Sequence, residues 1–171
     1  MQRLVFSFVI ALLATGSLCA KDAVKPVLRV SCVADRGSYA ASDAVRLTVT
    51  LENVGPSDLY IYKNVEWGWA GIGFSFLNAK GEMVRAKRPS IPLPPPPVYD
   101  KSQFVSLARG YFYGTHLDFD LTHYALEPGV YSIEISYRSN YREDSGFGLP
   151  ILTFADGEFV SNRVQIEVHS K

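Results

Sequence analysis

The sequence predicts an all-β chain built as an antiparallel β-sandwich of seven to nine strands. Two observations predict it. Apolar residues recur at every second position through most of the chain, which is the signature of a half-buried strand. No stretch carries the 3.6-residue apolar repeat of an amphipathic helix, so the sheets have to bury their apolar faces against each other.

The elements follow in order. Leu28, Val30 and Cys32 alternate with Arg29 and Ser31, which puts Cys32 on the apolar face. Val45, Leu47, Val49 and Leu51 alternate with Arg46, Thr48, Thr50 and Glu52 to make the cleanest strand in the chain. Asn53-Val-Gly-Pro-Ser57 reads as a turn, since Gly and Pro supply its backbone angles. Leu59 and Ile61 resume the apolar face while Tyr60 and Tyr62 point to the other side. Ile72, Phe74 and Phe76 form another apolar row, a loop closes it at Asn78–Gly81, and Met83-Val84 begins the return.

Alternation then stops. Residues 88–100 hold four consecutive prolines, which lack the N–H a central strand needs and favour an extended polyproline segment, so this stretch is expected to be a connector. Strands resume at Phe104–Leu107 and from Tyr111 to Leu121. In the second of these, Leu117, Phe119 and Leu121 share one face and His116, Asp118 and Asp120 the other. Tyr131, Ile133, Ile135 and Tyr137 follow a Pro-Gly turn, and the last strand carries Val164, Ile166 and Val168.

Leu126-Glu-Pro-Gly129-Val-Tyr131 is the most diagnostic stretch. A Pro-Gly turn before a Tyr at the start of a late strand predicts a tyrosine corner, in which a buried ring bonds back to the preceding loop. With Gly129 as the turn residue and Tyr131 as its anchor, the expected fold becomes an immunoglobulin-like β-sandwich.

The ends of the chain bear on compartment. Arg3 is the only charge before Lys21, and Leu4–Ala14 is an apolar run too short to span a bilayer comfortably. Residues 1–20 therefore read as a secretory signal peptide, leaving residues 21–171 as one domain, periplasmic or secreted from a bacterium. Beyond the leader Cys32 is the one cysteine, so no internal disulfide is available, and its apolar face makes it a buried small hydrophobe. The remaining 16 Lys and Arg against 17 Asp and Glu give no basic footprint for nucleic acid or an anionic membrane.

Sites are sparse. His116, Asp118 and His123 have the composition of a zinc-type ligand set, and a solvated strand face with Asp120 capping a turn is the competing reading. No nucleophile elbow or other catalytic signature is present, so no enzyme and no cofactor are expected. Aromatic residues, 13% of the chain, are the better lead. Trp67 and Trp69 share parity with Gly71 and Gly73, so either two indoles flank a groove or one is a core residue. Together with Tyr60 and Tyr62 they are the candidate binding residues. Tyr111–Tyr113 and Leu149–Phe154 are further candidates for an exposed patch, with packing against the proline-rich segment the favoured expectation.

Three features together, Tyr39 followed by Val45-x-Leu-x-Val-x-Leu-x-Asn53-x-Gly55, then Leu126-x-Pro-Gly-x-Tyr131, then Ser161-Asn-x-Val-x-Ile-x-Val168, resemble a broad group of bacterial immunoglobulin-like domains. The layout is similar to that of the BsuPI-type proteinase-inhibitor domain. The resemblance implies a fold and leaves activity open. The expectation is a non-enzymatic exported module that binds another protein or an envelope glycan. Alternatives are a proteinase-inhibitor-like domain acting through the proline-rich stretch or Asn140–Gly148, and a metal-binding protein using residues 116–123.

Overall fold

A computed structural model describes residues 27–63, 65, 71–87, 100–139, 141, 146 and 148–170. Residues 1–26 (which include the expected signal peptide), Trp67, Trp69, the four consecutive prolines, and Asn140 with residues 142–145 and 147 lie outside the described residues.

The described chain is mostly β. Its strands are β1 (Leu28–Ala34), β2 (Ser38–Ala40), β3 (Ala44–Asn53), β4 (Leu59–Tyr62), β5 (Ile72–Leu77), β6 (Phe104–Leu107), β7 (Phe112–Asp120), β8 (Gly129–Tyr137), β9 (Phe159–Val160) and β10 (Val164–His169). Helical structure among the described residues is confined to three-residue 3-10 turns at 101–103, 121–123 and 154–156, and no helix there is long and apolar enough to cross a membrane.

One sheet runs β1-β3-β7, wholly antiparallel. The other runs β2-β10-β8-β5 with β9 beside β8, antiparallel except where β2 joins β10 in parallel. Strands β4 and β6 form a separate ribbon. The period-2 pattern decides what each face does. Leu47, Val49, Leu51, Leu117 and Phe119 of the first sheet share one core with Phe76, Ile133, Ile135, Ile166 and Val168 of the second. Cys32 is in that core, 1% exposed, and burial pushes its thiol up to about 11, so it stays protonated at neutral pH.

Polar side chains close what the ladders leave open. Tyr131 is buried and its hydroxyl donates to the Glu127 carbonyl at 2.8 Å, fixing the turn that enters β8. Gly129 begins β8 itself, half-buried and without a positive φ, so its role is strand entry and needs no left-handed geometry. Residues 161–163 interrupt the edge between β9 and β10. There the Ser161 hydroxyl accepts from Ile135 N–H at 3.0 Å and keeps the ladder to β8 intact. Asn162 turns to the opposite sheet, accepting from Cys32 N–H at 3.0 Å and donating to Cys32 C=O at 2.9 Å. Its amide substitutes for a strand's peptide group along the outer edge of β1.

The crossover from β1 to β2 is held by Tyr39. Its ring is fully buried, and its hydroxyl lies 2.6 Å from Asp35 Oδ1 and 2.7 Å from the Arg36 carbonyl. The Tyr39 hydroxyl holds the Asp35 carboxyl below the usual carboxylate range, while burial first, then Asp35, pushes the phenol up to about 12. A carboxylate whose folded pKa lies below its unfolded value of about 4 contributes stability above that pH. The contribution is lost as pH falls through the depressed folded value. Urea unfolding of wild type and Tyr39→Phe should therefore show a stability gap that narrows between about pH 6 and pH 2. A gap constant over that range would remove Asp35 as its source.

Candidate functional site

The ribbon of β4 and β6 explains where the aromatic residues go. Leu59 and Ile61 face the main core, and parity sends Tyr60 and Tyr62 to the other side. That side is not open. Tyr62 is 8% exposed and packs with Phe104 and Ile151 in a second, smaller core, flanked by Tyr60, Tyr141 and Leu149. Ring centroids lie 6.1 Å apart for Tyr62–Phe104, 6.3 Å for Tyr62–Tyr141 and 5.1 Å for Phe104–Tyr141, all tilted or edge-on, as aromatic quadrupoles prefer. Burial pushes the Tyr141 phenol up to about 12.

A distant segment completes this cluster. Tyr60 N–H donates to Pro150 C=O and Leu152 N–H to Tyr60 C=O, both at 2.9 Å, so residues 150–152 lie parallel to β4. Leu149–Leu152 thus packs on the ribbon, where Ile151 and Leu152 are buried. Beside it opens a cleft of about 280 Å³ lined by Gly55, Pro56, Leu59, Pro150 and Leu152, among others.

The turn leading into β7 behaves differently. Tyr111 N–H donates to Ala108 C=O at 2.9 Å and Gly110 has φ +80°, the geometry of a type II turn. The turn is tied to β3, because Gly110 N–H donates to Asn53 C=O and Asn53 N–H to Tyr111 C=O. The Asn53 side chain is fully buried and holds the neighbouring backbone. It accepts from Gly55 N–H at 2.9 Å and donates to the carbonyls of Ser57 at 2.9 Å and Leu107 at 2.7 Å. Tyr113, next along β7, donates its hydroxyl to Lys63 C=O at 2.7 Å. Between these anchors Tyr111 and Phe112 are each 68% exposed. Of the two expectations for this stretch, the exposed patch is the one Tyr111 and Phe112 fit, and the proline-rich segment of the other lies outside the described residues.

The 116–123 cluster finds protein partners across the sheet. His116 Nδ1 lies 3.2 Å from Thr48 Oγ1, and Asp118 takes the Arg46 guanidinium at 2.9 Å, which holds its carboxyl below the usual range. Asp120 caps the 3-10 turn through Thr122, and His123 stands 3.8 Å from Asp120. Among the described residues no three His, Cys, Asp or Glu side chains are grouped to hold a metal. Cross-strand neighbours at Thr48 and Arg46 explain this, since the register puts them opposite His116 and Asp118.

Two features had no sequence signal. The Asn162 stitch spans 130 residues, and the Arg138 guanidinium stacks over the Phe154 ring, 3.5 Å from its centroid. Neither separation leaves a periodicity to read.

No protein-family model matches the chain, and no curated protein matches it. Among solved structures, a β-glucosidase from Erythrobacter marinus is similar with a TM-score of 0.43 and 13% identity. The match covers 83% of this chain and 15% of that one, so the chain spans a small fraction of the enzyme's length. A likeness at that level carries no argument about activity.

Proposed function

We propose that this chain is an exported, non-enzymatic immunoglobulin-like β-sandwich that binds another protein through the turn at 108–112 and the aromatic surface beside it. The sandwich reading is supported by the two sheet orders, by the parallel pairing of β2 with β10, and by the tyrosine-corner bond at the start of β8. Export to a bacterial envelope is supported by the charge and apolar pattern of residues 1–20.

The single observation that carries binding is the exposure of Tyr111 and Phe112 on a turn fixed by hydrogen bonds at both sides. Exposed rings on a mobile tip lose entropy when they dock, whereas rings on a pinned turn have little left to lose. Adjacent aromatic anchors are what protein interfaces use as their strongest contacts.

A photo-crosslinking residue placed at Phe112, in protein expressed with its leader, tests the reading. A discrete protein adduct in the envelope fraction is expected from position 112 and not from Lys80, which lies on the exposed 79–80 turn. Tyr111→Ser should weaken that adduct by at least about ten-fold, the loss of a contact worth about 1.4 kcal/mol. Equal adducts from both positions, or none from 112, would overturn it.

A further inference from the structure

We infer that the partner is a second copy of this chain, the 108–112 turn of each copy seated in the cleft beside Leu149–Leu152 of the other; the inference rests on the protein-binding reading. Turn and cleft sit side by side because Asn53 serves both. Its backbone bonds the turn at Gly110 N–H and Tyr111 C=O, and its side chain bonds Gly55 N–H and Ser57 C=O, two residues of the cleft wall. The rest of the cleft is held as firmly. Val54 N–H donates to Val27 C=O at 3.1 Å, and residues 150–152 are bonded to Tyr60. Both halves of the contact therefore exist before a partner arrives.

The two halves match in chemistry. The turn presents two exposed rings, Tyr111 and Phe112, and the cation Arg109 is exposed beside them. The cleft is walled by Pro56, Leu59, Pro150 and Leu152 and carries two carboxylates, Asp58 and Asp156. Asp156 already accepts from the Thr153 N–H and hydroxyl, while Asp58 is exposed. The ion pairs among the described residues include neither Arg109 nor Asp58. A cleft of about 280 Å³ lies just below the range of small-molecule pockets, roughly 300–1,000 Å³, and suits an inserted side chain better.

A patch that holds a projection and its matching hollow side by side is self-complementary, so two copies close on each other about a two-fold axis. An aromatic ring between apolar walls supplies the buried anchor, and Arg109 against Asp58 at the rim fixes the orientation. Each contact is made twice. Net charge does not oppose the meeting, since 17 Lys and Arg balance 17 Asp and Glu in the whole chain.

Sedimentation equilibrium of protein expressed with its leader and purified from the envelope fraction tests this. A reversible monomer–dimer equilibrium is expected. Arg109→Asp and Asp58→Arg should each weaken it at least about ten-fold, because like charges then meet at both contacts. Mixed in equal amounts, the two variants should pair as wild type does, since both contacts of the mixed dimer join opposite charges. That rescue separates a lost contact from a misfolded variant. The adduct from the crosslinker at Phe112 should have the mass of two chains. Single variants that dimerise as wild type does, or variants that stay apart on mixing, would overturn the turn-and-cleft contact. A chain that stays monomeric up to about 1 mM while position 112 gives an adduct of another mass would overturn the second copy and leave the protein-binding reading standing. Absence of any adduct from position 112 would overturn both.

Discussion

Asn53→Ala is expected to lower the unfolding free energy by about 3–4 kcal/mol, because three hydrogen bonds end on one fully buried side chain. Removal leaves Gly55 N–H, Ser57 C=O and Leu107 C=O without their partner at the junction of β3, its following turn and β6. In a domain of this size that amounts to roughly 10 °C in Tm. Urea unfolding should show a lower midpoint with an unchanged slope. Asn53→Asp sharpens the test. It keeps the acceptor for Gly55 but turns a carboxylate oxygen toward two carbonyls, so it should cost at least as much as alanine. A loss below about 1 kcal/mol for either variant would mean that the turn holds without this side chain.

Gly71→Ala is expected to be the most damaging single substitution of a glycine among the described residues. Gly71 has φ +74°, and a Cβ there would sit 1.5 Å from the Arg138 carbonyl oxygen. The left-handed conformation alone costs a non-glycine residue about 1–2 kcal/mol. The clash adds to it, because backbone on both sides is tied by the Arg138 N–H to Gly71 C=O bond. The β5–β8 pair must separate at this end, for a total of about 3–5 kcal/mol. Gly81→Ala is the control. It has φ +79° but nothing within 4 Å of the added Cβ, so only the conformational cost of about 1–2 kcal/mol applies. Equal Tm losses for the two variants would show that the close approach to Arg138 is relieved by a small shift.

Both residues mark how far local reading goes. Asn53 and Gly55 are recognisable as turn formers, since an Asn side chain bonding two residues ahead is a local event. The reach of the same side chain to Leu107, 54 residues away, is invisible locally because it depends on how β6 docks. Gly71 looks like one of several glycines until β8 is laid beside β5. Tyr62 is read as facing away from the core, which is right in parity, but its burial depends on Phe104, Tyr141 and Ile151 arriving from elsewhere. His116 and Asp118 share a face as the alternation requires, yet Thr48 of the neighbouring strand meets His116 Nδ1 and Arg46 takes the Asp118 carboxylate.

The sequence by itself determined the longer strands, their core faces and the Tyr131 corner, because a period of two and a Pro-Gly turn are properties of neighbouring residues. Ten strands stand among the described residues against the seven to nine expected. The short β2 with its parallel pairing to β10 left no local signal, while Met83 makes only an isolated bridge. Only the tertiary structure decided that Tyr62 is core while Tyr111 and Phe112 are surface, that Asn162 closes the edge of β1, and that the Arg138 guanidinium lies over Phe154. Each of those depends on which distant segment occupies the space beside a side chain. Strand alternation says which way a residue points, but not what meets it there.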